Sequence, residues 1–340
     1  MKEKLKISLI SFDNWNYDKE IVIALTKKNI EATHINIGAY KHKNNFHRLK
    51  NVFYKVFFNK NLKFKNRQEY ILKTLTKLGR QDLILVLNPD LIDFEYHKQI
   101  KQHTNRYITY LYDSIARSMY PIEHLLNGVF DTIYSFDKKD SENYNFKKIN
   151  NYIYFDKQEI VNQEKTKYKL LSIASFDKRF NTFNKIANQL SEMNCKFLFI
   201  CVSRNINYKL LKYKWNNFIK NDKQDALNKC INFQSKKIPL SDIKKYYDQT
   251  VVLLDLVQDH QTGLSFRVFE AMGLQKKLIT NNKAIINYDF YNPNNILVIE
   301  NEKLNFNTEF FKTPYQKISE DIYSQYTIES WVNVVFELEN

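Results

Sequence analysis

Glycine and proline are scarce in this chain, five of each in 340 residues, and cysteine is scarcer still at three. With so few glycines there is no G-x-G-x-x-G and no Walker A loop, which argues against ordinary dinucleotide dehydrogenases and P-loop ATPases. Cys195, Cys201 and Cys230 have no metal spacing, and neither C-x-x-C nor H-E-x-x-H occurs. No zinc site is therefore expected, and reduced thiols in a cytoplasmic protein are the default. D-x-D is absent too, so a metal-dependent GT-A transferase would lack its usual manganese ligands. No apolar run approaches a membrane span, and Asp13 cuts short the apolar stretch after Lys2, Lys4 and Lys6 before it resembles a signal core.

What is present is aromatic and basic: 25 Phe, 23 Tyr, and a net charge of +15. The length suits two domains of ordinary size, and the charge implies an anionic partner. Residues 41–80 concentrate it, with twelve Lys or Arg and one acidic residue, Glu69. There Phe46, Leu49, Phe53, Val56 and Phe57 recur at helical spacing among Arg48, Lys50 and Lys55. Such a helix suits an anionic membrane surface; packing of the same stripe on a sheet is the other outcome. No nucleic-acid-binding signature accompanies it, so nucleic acid is not an expected partner.

Along the chain, short apolar runs alternate with helical stretches. Ile7–Ser11, Thr33–Ile37, Leu83–Leu87, Tyr107–Tyr112 and Thr132–Phe136 read as strands of βαβ units. The pattern restarts near Tyr168, with strands at Leu170–Ala174, Phe197–Val202, Val251–Leu256 and Lys277–Thr280. This predicts an α/β fold of two Rossmann-like domains, 1–150 and 168–312, joined by a polar linker around 150–167. The last segment, 313–340, reads as an amphipathic helix.

The run Gln261–Gly273 carries the chemistry. Gly263 lets backbone approach a ligand closely. The helix that starts at Leu264 and Ser265 directs its free N–H groups and positive dipole end at the loop, a natural phosphate site. Two turns on, Glu270 offers a carboxylate suited to the two hydroxyls of a ribose. Arg267 pairs with Glu270 or reaches a phosphate, and Gly273 is placed to cap the helix.

From Val251 to Asn281 the sequence resembles the donor-binding segment of GT-B glycosyltransferases, most of all the CgeB-like and capsule or lipopolysaccharide branches. The resemblance implies two parallel sheets facing across a cleft, with the final helix crossing back to the N-terminal domain. It also implies that Glu270 holds the nucleotide ribose and that Lys178 and Arg179, after the first strand of the second half, sit by the diphosphate. Thr262 stands where many retaining members carry a second acid, which leaves the stereochemistry open. Asp13 and Asp113, each following a strand, are the candidates for the base that deprotonates the acceptor.

The expected protein is thus a metal-independent transferase with no cofactor. It would move a sugar from a nucleotide sugar to a glycan or lipid-linked acceptor in bacterial surface-polysaccharide synthesis. It would act in the cytoplasm, resting through 41–80 on the inner face of the plasma membrane. A sugar-nucleotide epimerase of the same fold and a non-catalytic basic nucleic-acid-binding protein are the alternatives.

Overall fold

The computed structural model describes residues 4–13, 17–40, 61–116, 121–160, 166–220, 227–258, 261–300 and 308–338, together with 49, 51, 53, 54 and 57. The chain divides into two compact units, one of Met1–Asn150 with Ile328–Asn340, the other of Asn151–Thr327.

In the first unit β1 (Lys6–Ser11) leads to α1 (Asp18–Lys27), β2 (Glu31–Asn36), α2 (Leu62–Leu78) and β3 (Gln81–Val86). Then come α3 (Phe94–Lys101), β4 (Thr104–Leu111), α4 (Ile122–Leu126), β5 (Thr132–Ser135), α5 (Lys138–Tyr144) and β6 (Lys147–Lys148). The sheet is parallel, in the order β2-β1-β3-β4-β5-β6. Its central strands β1 and β3 are mostly buried apolar runs, as in a sheet covered on both faces, whereas the edge strands β2 and β6 are polar. One face buries Ile10, Ile35, Ile84, Val86 and Tyr107 against Ile71 and Leu75 of α2. That helix ends where Gly79 turns to φ 75°, a left-handed value suited to glycine.

The second unit runs β7 (Tyr168–Ser175), α6 (Phe180–Glu192), β8 (Phe197–Val202), α7 (Ile206–Lys220), β9 (Ile231–Gln234), α8 (Leu240–Asp248) and β10 (Thr250–Asp255). It continues with α9 (Phe266–Gly273), β11 (Lys277–Thr280), β12 (Ile296–Val298) and α10 (Glu320–Gln325). This sheet is parallel as well, ordered β12-β11-β10-β7-β8-β9. Counted within the unit that is 6-5-4-1-2-3, the Rossmann order, whereas the first unit has the flavodoxin-like order 2-1-3-4-5-6. The chain reverses direction across the sheet at β1/β3 in one unit and at β7/β10 in the other.

Two expectations need correction. The stretch expected as a linker begins inside the second unit: Asn151, Tyr152, Ile153 and Tyr154 are all buried. Ile153 is the reason for Gly273, since a Cβ there would lie 2.6 Å from its Cγ2; Gly273 itself is the last residue of α9, followed by Leu274 as the cap. The C-terminal segment is not one helix. Residues 315–319 are non-helical, and the chain breaks after α10 because the Tyr326 carbonyl accepts the Ile153 amide at 2.7 Å and Thr327 pairs with Ile153. Only α11 (Ile328–Phe336) joins the first unit, where Trp331 meets Tyr110 edge-on and Glu337 pairs with Arg106 at 2.7 Å.

Of the basic segment, residues 41–48, 50, 52, 55, 56 and 58–60 lie outside the described residues, Phe46, Arg48, Lys50, Lys55 and Val56 among them. Leu49, Phe53 and Phe57 are described and exposed, with the two phenylalanine rings 4.6 Å apart. Among the described residues no helix is long and apolar enough to cross a membrane.

Candidate functional site

Parallel α/β sheets bind ligands beyond the carboxyl ends of their strands, at the point where strand order reverses. In the second unit that point lies between β7 and β10, and an arginine bridges it. Arg179, just before α6, donates from Nη1 to the Leu256 carbonyl after β10 at 2.6 Å. Its other side is held by Asp177, through Nε at 2.9 Å and Nη2 at 2.5 Å. Lys178, beside it, is exposed.

The last residue of β10 is Asp255, buried, with an Oδ2 that has no hydrogen-bond partner. Burial raises its pKa, against the hydrogen bond from Ser265 and the charges of Arg267 and Arg179; Glu270 adds to the rise. Ser265 links this acid to the helix start. Its hydroxyl bonds to Asp255 and accepts the Arg267 amide at 3.1 Å, capping α9. The loop before the cap is fastened from three sides. Asn281 pairs with both backbone groups of Val257 at 2.7 and 3.1 Å, Asn282 donates to the Gly263 carbonyl at 3.1 Å, and Asn151 donates to that of Leu264 at 2.9 Å. Leu264 is buried, so Gly263 and Leu264 form the floor of the helix start.

Glu270 occupies a different position from the one its spacing suggests. It is only 2% exposed and points into the unit. Tyr154 donates to Oε1 at 2.6 Å, and Tyr247 donates to Oε2 at 2.5 Å. Arg267 Nη1 lies 3.0 Å from Oε2 and donates to the Tyr247 hydroxyl as well, while Nη2 donates to the Ile173 carbonyl at 3.0 Å. Arg267 therefore pairs with Glu270 and ties α9 to β7. As placed, the carboxylate positions Arg267.

In the first unit the strand-order reversal lies at β1/β3, where the Phe12 amide donates to Asn88 at 3.1 Å. Asp13 follows in a left-handed conformation, φ 45°, and its Oδ1 accepts the Asp18 amide at 3.2 Å. It caps α1. The buried acid of this cluster is Asp18, whose Oδ1 accepts the hydroxyl of Tyr112 and whose Oδ2 has no partner. Burial pushes its pKa up to about 6, the bonds from Ser11 and Tyr112 oppose the rise, and the charge of Asp13 adds to it.

Ser11 also meets His34 Nε2 at 2.9 Å. Which of the two donates depends on the tautomer of the ring. Burial holds the His34 pKa below its usual value, with the Asp13 charge opposing. Asp113 lies exposed after β4.

The structure thus brings Arg179, Ser265 and Arg267 together around Asp255, and leaves Lys178 exposed beside them. Sequence reading missed Asp255, although an acid closing an apolar strand just before the glycine loop is a legible signal. It also missed Asp18, Ser11 and Tyr112, whose association depends on packing across 94 residues of chain.

No protein-family model matches this chain, and no curated protein matches it. Solved structures do. An alpha-glucosyltransferase in complex with UDP-glucose and DNA containing an abasic site is 11% identical, covering 98% of this chain and 99% of that one, with a TM-score of 0.62. A UDP-forming alpha,alpha-trehalose-phosphate synthase from Burkholderia xenovorans is 11% identical over 98% of both chains, with a TM-score of 0.55. A glycosyltransferase involved in Avilamycin A biosynthesis is 7% identical, covering 98% of this chain and 96% of that one, with a TM-score of 0.57. The chain has the GT-B fold of these glycosyltransferases.

Proposed function

We propose that this chain is a glycosyltransferase that moves a sugar from a nucleotide-sugar donor to an acceptor hydroxyl, with the donor site in the second unit. The observation that carries the reading is the bracing of the β7/β10 reversal by Arg179, beside a capped helix start and Asp255. Solved neighbours of this fold hold UDP-glucose or UDP, which supports a nucleotide diphosphate there.

Chemically, the leaving diphosphate gains negative charge as the glycosidic bond breaks. The α9 dipole and the charges of Arg179 and Arg267 offset part of it without a metal. Both arginines are already bonded, so they supply field and rigidity, and exposed Lys178 supplies the direct phosphate contact. Glu270 holds Arg267 in place. In the first unit, His34, held by the Ser11 hydroxyl, receives the acceptor's hydroxyl proton.

The acceptor we assign is a glycan or lipid-linked sugar of bacterial surface polysaccharide, following the CgeB-like and capsule resemblance. The exposed Leu49, Phe53 and Phe57 in a basic stretch support a membrane-peripheral setting. A DNA acceptor is the second reading, favoured by the net charge of +15 and by neighbours solved with DNA.

Thermal-shift and calorimetric titration with UDP-, GDP-, CMP- and TDP-sugars tests the donor site. One nucleotide sugar is expected to bind, and Lys178→Ala to weaken its diphosphate roughly tenfold while leaving the matching nucleoside monophosphate unchanged. Binding of none of them rules the assignment out. Release of free epimerised sugar nucleotide without an acceptor favours an epimerase instead.

A further inference from the structure

Helix α7 carries apolar residues on two sides, one packed on the core and the other largely exposed. Ile206, Leu210 and Tyr213 face the core, where they pack with Phe176, Phe180 and Phe199 of the second unit. At about 100° per residue, Tyr208, Leu211 and Trp215 fall on the opposite side of the helix. They are 67%, 68% and 63% exposed. Lys212 and Lys214, both exposed, flank this outer stripe on either side. The helix carries four lysines and no acidic residue over its whole length.

An ordinary surface helix turns a polar face to water. Here the water-facing side presents an aromatic–aliphatic–aromatic row between lysines. Tyr and Trp are the residues enriched at membrane–water boundaries, Leu adds acyl-chain contact, and lysines beside them attract anionic headgroups. Nucleic acid would use the lysines and the two rings but would gain nothing from Leu211 at the centre of the row. A second copy of the chain would bring another lysine-flanked stripe, like charge against like.

We propose that the outer face of α7 is a docking surface for an anionic lipid bilayer, the helix lying flat with Tyr208, Leu211 and Trp215 in the headgroup–acyl boundary. This contact belongs to the second unit. It needs neither the basic segment of the first nor any bound donor.

The test uses the full chain with vesicles of phosphatidylcholine alone and of phosphatidylcholine mixed with phosphatidylglycerol. Flotation is expected with the mixed vesicles only, together with a blue shift of tryptophan emission that disappears in Trp215→Phe. Leu211→Glu is expected to abolish that shift and cut flotation at least tenfold, and Lys212→Gln or Lys214→Gln to cut it about fivefold each. Because these positions are exposed, thermal unfolding of every variant is expected to match the wild type. The proposal is overturned if Trp215 emission is indifferent to anionic vesicles, even if flotation persists. It is equally overturned if Leu211→Glu dissolves a concentration-dependent dimer without affecting vesicle binding, or if single-stranded DNA produces the Trp215 shift and vesicles do not.

Discussion

Asp18 and Asp255 occupy comparable places in the two units. Both are buried near the carboxyl ends of parallel strands, at the point where the sheet reverses, and each keeps one oxygen without a hydrogen-bond partner. Their surroundings differ in kind. Asp18 is met by the Tyr112 hydroxyl and by the charge of a second acid, Asp13. Asp255 is met by one hydroxyl and lies in the field of two arginines. In the first, burial keeps the carboxyl protonated up to about pH 6; in the second, each arginine is already paired with a carboxylate of its own, Asp177 or Glu270. Two parallel sheets of different strand order thus each bury an acid at the reversal point, in different surroundings.

The comparison is broken most severely at Glu270, because two tyrosine hydroxyls and Arg267 all lean on that buried carboxylate. Glu270→Ala strands an arginine in the interior, and its expected cost is about 3–5 kcal/mol, read as a lower urea midpoint. If the variant is as stable as the wild type and loses only donor affinity, Glu270 is a ribose ligand after all.

Next in size is the pH response of the first unit. The Asp18 pKa is raised in the folded state to about 6 from 3.8. Stability from this group is therefore complete below the unfolded value and is lost as pH rises through about 6. Asp18→Asn removes that dependence, so its stability relative to wild type is expected to climb by about 2–3 kcal/mol between pH 4 and pH 8. Denaturant unfolding at the two pH values checks this, and a difference independent of pH contradicts it. Smaller still, Ser265→Ala removes the α9 cap and one hydrogen bond to Asp255, with an expected loss of about 1 kcal/mol. Its unfolding curve should shift by that amount, with donor affinity falling in step.

Much of this was legible beforehand. The strand at Phe197–Val202 and that at Lys277–Thr280 lie where their apolar runs placed them, because strands buried on both faces carry no polar interruption. The helix after Gly263 was readable from the loop chemistry, and its cap at Ser265 was not. Strand order was not, since nothing in β1 or β3 records which strand becomes its neighbour. Nor was the inward turn of Glu270. Its partners Tyr154 and Tyr247 lie 116 and 23 residues away, and helical spacing gives a residue's face without what packs on it. The expected linker was misread for a related reason: Asn and Lys dominate the stretch, yet the short Tyr152-Ile153-Tyr154 segment within it is core.

The claim that the second unit's reversal point is the donor site is tested most directly by amide hydrogen exchange of the full chain, with and without a saturating UDP-sugar. The account expects slowed exchange over 175–180 and 256–268, and none over 7–13. Slowing confined to the β1 loop, or no slowing anywhere, would contradict it.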